Sequence, residues 1–148
     1  MFDEHGSEDR RARPDCFAQA SRPFTAMEHI VPGLTTHVLD LTRGGPAQGV
    51  RVELFEIDPG GQRRLVTATA TNEDGRTGQP LIAIREARAG SFELLFHVGD
   101  YFRRQGASVA DPPFLDVVPI RFAIAEPAAH YHVPLLVSPW AYSTYRGS

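Results

Sequence analysis

Three segments of this chain alternate inward and outward residues with a period of two, and that pattern commits it to a β architecture. Val50, Val52 and Leu54 interleave with Arg51, Glu53 and Phe55. Phe92, Leu94, Phe96 and Val98 interleave with Ser91, Glu93, Leu95 and His97, and Val118, Ile120, Phe122 and Ile124 with Val117, Pro119, Arg121 and Ala123. Successive side chains of an extended strand point to opposite faces, so each run buries one face and leaves the other open. Leu65 to Thr71 adds a stretch rich in β-branched residues, and Tyr131 to Val137 a shorter apolar run. Turn residues punctuate the pattern at Arg43-Gly44-Gly45-Pro46, Asp58-Pro59-Gly60-Gly61, Asn72-Glu73-Asp74-Gly75 and Asp111-Pro112-Pro113. Many short strands at this spacing predict two stacked antiparallel sheets. One short helix is expected between Gly99 and Gly106, with Asp100 as its N-cap and Gly106 ending it.

A length of 148 residues suits one domain that buries its own core. Residues 1–32 are compositionally separate: Asp3 to Arg11 is charged and carries no apolar period, so this stretch is expected to be a disordered or loosely attached extension. Met27, just before the patterned region, is a candidate alternative start, and the working domain is expected over 33–148. A net charge of -3 and the lack of a basic cluster joined to aromatics argue against a nucleic-acid partner. No stretch approaches the roughly 20 apolar residues that cross a bilayer, and the N-terminus lacks a secretory layout. A cytoplasmic protein with no membrane association is the expectation. The single cysteine, Cys16, forms no internal disulfide and reads as an inert thiol.

The chain closes on Tyr142-Ser143-Thr144-Tyr145-Arg146-Gly147-Ser148, a strand-like run that stops on an aromatic, a guanidinium, a glycine and a hydroxyl. Ala141 to Ser148 resembles the C-terminal signature of the 5-hydroxyisourate hydrolases, transthyretin-related enzymes of urate degradation. Four further blocks carry the resemblance in family order. They are Leu34 to Asp40 followed by Gly45 to Gly49, Thr71 to Arg76, Pro113 to Phe122, and His130 to Pro139. Together they cover nearly all of 34–148.

The resemblance implies a transthyretin-like (prealbumin-like) all-β sandwich of two four-stranded sheets with one short helix, assembled as a homotetramer. It implies sites at the dimer–dimer interface, lining a channel. Its catalytic residues carry over as His37, Arg76, His132 and Ser148, with Tyr145, Arg146 and Gly147 shaping the pocket and binding substrate. No metal or organic cofactor is implied. The implied reaction converts 5-hydroxyisourate to 2-oxo-4-hydroxy-4-carboxy-5-ureidoimidazoline.

Opening a lactam ring with water requires a positioned water, a group to accept its proton, and donors for the developing oxyanion. Two histidines and an arginine supply these parts. His37 and His132 would handle water and protons, Arg76 would bind the oxygen-rich substrate, and Ser148 would orient the water or a histidine. On this reading, residues added after Ser148 would crowd the site. Each assignment has a plainer rival: His37 as a packed strand histidine, Arg76 as an exposed turn arginine, Arg146 as a solvated charge.

Spacing alone offers a competitor. His130 and His132 stand two apart on a strand and share a face, and with His37 they would give the three nitrogens of a hydrolytic zinc site. Against that, Pro134 is expected to bulge or end regular pairing nearby, and the resemblance assigns catalysis to His132 alone. His5, His29 and His97 receive no function. The competing function is a transthyretin-type module that binds or transports a small ligand without catalysis. Fold does not separate the two; the site does.

Overall fold

In a computed structural model that describes residues 31–148, strands of seven and eight residues form one large sheet and shorter ones two smaller sheets. The strands are β1 (Pro32–Thr35), β2 (Val38–Asp40), β3 (Gly45–Pro46), β4 (Arg51–Ile57), β5 (Arg63–Ala70), β6 (Ile82–Ala83), β7 (Gly90–His97), β8 (Val117–Ile124), β9 (Tyr131–His132), β10 (Leu135–Val137) and β11 (Tyr142–Thr144). The large sheet runs β5-β4-β7-β8, all antiparallel. The second four-stranded sheet runs β11-β10-β2-β3, and a three-stranded sheet runs β6-β1-β9. The two four-stranded sheets match the expectation; the three-stranded sheet is an addition to it. Residues 1–30, with His5, Cys16, Met27 and His29, lie outside the described residues. β1 begins at Pro32, inside the stretch assigned to the extension.

The alternation seen in the sequence is the alternation of burial. Val52 and Leu54 of β4, Phe92, Leu94 and Phe96 of β7, and Val118, Ile120 and Ile124 of β8 form the core with Leu34, Val38, Leu135 and Val137 from the facing strands. Each such side chain contributes about 1.5–3 kcal/mol by leaving water, so a one-residue slip in any of these strands would expose its whole apolar set. The β-branched run is the edge strand β5, with Leu65 and Val66 on the surface.

The helix differs from its prediction at its start. It spans Val98–Arg104 and follows β7 directly, with His97 at the N-cap position and no side-chain cap. Asp100 lies inside the first turn, where its carboxylate accepts a hydrogen bond from Arg103 at 2.8 Å. Position 99 has room only for glycine: an added Cβ would stand 2.4 Å from Asp116 Oδ1 and 2.9 Å from Pro113 Cγ. Gly106, at φ +73°, ends the helix as expected. The buried hydroxyl of Tyr101 donates to Asp40 Oδ2 at 2.8 Å and so pins the helix to β2.

Two strand breaks position the site. β1 and β2 are interrupted at Thr36-His37, and β9 and β10 at Val133-Pro134, so each chain passes from the small sheet to the second four-stranded one. The two segments run parallel throughout, pairing Leu34 with Tyr131, Thr35 with His132 and Val38 with Leu135. Between the ladders, Val133 N donates to Thr35 O at 3.0 Å and Leu135 N to His37 O at 2.8 Å. Pro134 has no N–H to give, and regular pairing ends around it, as the sequence suggested.

Candidate active site

Thr35 and His37 are two apart, as are His130 and His132, and the parallel register sets these pairs side by side. The intervening Thr36 points the opposite way: it is buried, and its hydroxyl donates to Val133 O at 2.7 Å. Alternation therefore keeps Thr35, His37, His130 and His132 free for one face. Both latter histidines reach the Thr35 hydroxyl, His132 through Nδ1 at 2.8 Å and His130 through Nε2 at 3.0 Å. Their rings lie 6.4 Å apart at an interplanar angle of 27°.

Arg76 arrives from the other side. The turn Asn72 to Gly75 closes with Gly75 N donating to Asn72 O at 2.9 Å and Asn72 N to Arg76 O at 2.8 Å. The Asn72 side-chain oxygen also accepts from Asp74 N and Arg76 N, an Asx arrangement that suits this residue type. Gly75 has φ +73°, and an added Cβ would lie 2.4 Å from Val38 O. Only glycine lets this turn press against β2. The result is a bridge between His37 and Arg76, with Val38 N donating to Gly75 O at 2.8 Å.

The C-terminal segment closes the third side. Gly147 bridges His132, its N–H donating to His132 O at 2.8 Å. A Cβ on Gly147 would stand 2.5 Å from His132 Cδ2 and 3.1 Å from Cγ. The chain thus lies against the imidazole itself, at a distance no other residue permits without moving the ring.

The electrostatics follow from this placement. Burial holds the His37 imidazole below its ordinary value of 6.5, and the Arg76 charge adds to that effect against the opposing carbonyl and charge of Asp74. His132 is lowered in the same way, first by burial, then by Arg76, His130 and His37, against a backbone hydrogen bond with Thr35. Both imidazoles are therefore neutral at pH 7, and a neutral imidazole can accept a proton. Arg76 is exposed, so its guanidinium stays available to a ligand. It lines a shallow depression with Thr35, Thr77, Gln79 and Pro80.

Not every predicted residue joins this group within one protomer. Gly147 touches His132, whereas Arg146 stacks its guanidinium over the Tyr131 ring, 4.4 Å from the centroid. Tyr145 and Arg146 line a separate depression with Ile120, Phe122, Tyr131 and Val133. The reason is again alternation: with His132 opposite Gly147, their neighbours Tyr131 and Arg146 fall together on the other side. Ser148 is exposed one residue beyond Gly147. His97, given no function, has a structural partner, its Nε2 lying 2.7 Å from Glu53 Oε2.

Thr35 was not singled out by sequence reasoning. The signal available was its position two residues before His37, on the face the histidine uses. As for the metal reading, the two imidazoles do share a face, but they converge on the Thr35 hydroxyl. Among the described residues, no group of three or more His, Cys, Asp and Glu side chains is arranged to hold a metal ion. Nor, among those residues, is any helix long and apolar enough to cross a membrane.

Comparison with known proteins places these features in a lineage. Residues 34–147 match the HIUase/Transthyretin family. A protein named 5-hydroxyisourate hydrolase from Deinococcus radiodurans is 57% identical over 117 residues, covering 79% of this chain and 97% of its own. Another of that name, from Mesorhizobium japonicum, is 56% identical, covering 78% and 91%. Among solved structures, (S)-allantoin synthase superposes with a TM-score of 0.74 at 46% identity, covering 79% of this chain; the match spans only 44% of that longer chain. Transthyretin from Sparus aurata superposes with a TM-score of 0.69 at 27% identity, covering 78% and 96%.

Proposed function

The chain belongs to the HIUase/Transthyretin family, and from that premise we propose that it is a hydrolytic member, an enzyme that opens 5-hydroxyisourate by adding water to its lactam carbonyl. The observation that carries this reading is the pairing of His37 with Arg76 and of His132 with Gly147 in one layer. Two imidazoles kept neutral beside an exposed guanidinium are the parts hydrolysis of a cyclic amide needs. A ligand carrier needs none of them. The relatives point the same way, since the sequences more than 50% identical are named hydrolases and the transthyretin structure stands at 27%.

In the proposed mechanism, Arg76 binds the oxygen-rich ring through its planar fork and stabilises charge that develops on the attacked carbonyl oxygen. His132, whose Nδ1 is occupied by Thr35, presents Nε2 to the attacking water and accepts its proton. His37, on the Arg76 side of the layer, orients water or substrate. Gly147 holds the His132 ring, and Ser148 beyond it contributes its hydroxyl to the water. Tyr145 and Arg146 act on substrate from the far side of the C-terminal strand.

That last role requires assembly. Within the proposal the protein is a homotetramer with its sites in a channel at the dimer–dimer interface, where the C-terminal strand of one protomer approaches the site of another. Supporting this, Trp140, Tyr142 and Tyr145, in and beside the edge strand β11, are all exposed at between 43% and 64%. Exposed apolar groups of this size mark association surfaces.

The test is direct. Generating 5-hydroxyisourate in situ with urate oxidase and following its absorbance, the purified protein accelerates the decay well beyond the spontaneous rate. Unaccelerated decay, together with tight binding of a thyroxine-like ligand, would establish the carrier reading instead.

A further inference from the structure

The contact between Thr35 and His130 has no part in the mechanism above. Thr35 Oγ1 lies within hydrogen-bonding reach of two histidines at once, His132 Nδ1 at 2.8 Å and His130 Nε2 at 3.0 Å. A hydroxyl has a single proton. It can donate to one imidazole while accepting from the other, so the state of one ring dictates that of the second. His132 is half-buried beside Arg76 and His37, whereas His130 is exposed. The three groups thus form a continuous path from the layer of the site to water.

We propose that Thr35 is a positioning residue whose hydroxyl couples His132 to His130, making the three a proton relay between the reacting end of His132 and solvent. The inference rests on the hydrolase reading for its consequence but not for its geometry. In the resting state His132 carries its proton on Nδ1 and donates it to Thr35 Oγ1, while the Thr35 hydroxyl donates to His130 Nε2. His132 Nε2 is then bare and faces the attacking water.

The proton count closes through one cycle. As Nε2 takes a proton from the water, the Nδ1 proton moves to Thr35 Oγ1. The hydroxyl's own proton moves to His130 Nε2, and His130 releases its Nδ1 proton to solvent. The water-derived oxygen is now bonded to the lactam carbon. When the carbon–nitrogen bond breaks, His132 Nε2 gives its proton to the departing ring nitrogen. The transfers then run backward, His130 regaining a proton from solvent on Nδ1. His132 is returned to its starting tautomer without ever holding a net charge beside Arg76. That matters because a guanidinium opposes an imidazolium nearby, and passing the proton through the exposed ring to solvent relieves that opposition.

The test pairs kinetics with a readout that needs no substrate. Thr35→Val, close in shape but without the hydroxyl, lowers kcat about 10- to 100-fold with KM unchanged, and Thr35→Ser restores most of the loss. The double variant Thr35→Val with His130→Ala is no slower than Thr35→Val alone, because either change breaks the same path. In 15N-histidine spectra of substrate-free protein, His132 occupies one tautomer in the wild type and a mixture in both Thr35→Val and His130→Ala. An unchanged His132 tautomer in those two variants would overturn the proposal, as would a Thr35→Ser variant as slow as Thr35→Val or a double variant whose losses multiply. Because the spectra are recorded without 5-hydroxyisourate, a tautomer effect accompanied by no hydrolysis in the wild type would reject the hydrolase reading while leaving the coupling in place.

Discussion

Replacing His132 by asparagine lowers kcat for 5-hydroxyisourate by about 100- to 10,000-fold, the contribution expected of a positioned general base. The chain still folds, because the β9 segment is held by backbone pairing that the substitution leaves alone. Thr35 pairs with His132 through the main chain, and Gly147 N donates to the main-chain oxygen of residue 132. Asparagine also offers Thr35 a hydrogen-bonding group, so the hydroxyl is not orphaned. The measurement is kcat alongside circular dichroism and solution mass. A folded variant of native mass with wild-type kcat would remove His132 from the chemistry.

Gly147→Ala acts on the same imidazole without touching its identity. The added methyl would lie 2.5 Å from His132 Cδ2, so the ring or the C-terminal chain has to move by a large fraction of an ångström. Displacements of that size at a reacting group cost about 100-fold in rate. Stability, by contrast, changes by no more than about 0.5 kcal/mol, because Gly147 is not in the core and buries no apolar surface. A strong loss of kcat with an unmoved melting temperature is therefore the signature. Equal rates for glycine and alanine would mean that the C-terminal strand does not hold His132 in the working geometry.

The strands of the large sheet were legible because their burial repeats every two residues, as in Phe92, Leu94 and Phe96. The helix start was not, because Asp100 satisfies the composition of a cap while the true boundary is set by His97 passing straight from β7 into α1. Gly99 carries its own reason, the closeness of Pro113 and Asp116, which only the folded chain reveals. Among the site residues, the turn that delivers Arg76 was visible in Asn72-Glu73-Asp74-Gly75, and the need for Gly75 appears in its contact with Val38. The meeting of Thr35, His37, His130 and His132 depends on a parallel pairing between segments 95 or more residues apart, and no local pattern encodes that. Tyr145 and Arg146 show the converse. The resemblance implied that they share a pocket with Gly147, whereas within the protomer alternation turns Arg146 over the Tyr131 ring, and Tyr145 lines that same depression.

In the proposed mechanism neutral imidazoles, kept so by burial and by Arg76, handle the protons of hydrolysis. The dependence of kcat/KM on pH reports the ionisation of the free enzyme and tests this most directly. Both histidines are displaced downward from 6.5, so activity persists as pH falls and the acid limb has its midpoint below 6.5. Arg76→Gln removes a charge that lowers both values, so in that variant the limb moves to higher pH, accompanied by a fall in kcat/KM at every pH. An acid limb at or above 6.5 in the wild type, unmoved by Arg76→Gln, would rule out neutral histidines as the proton-handling groups.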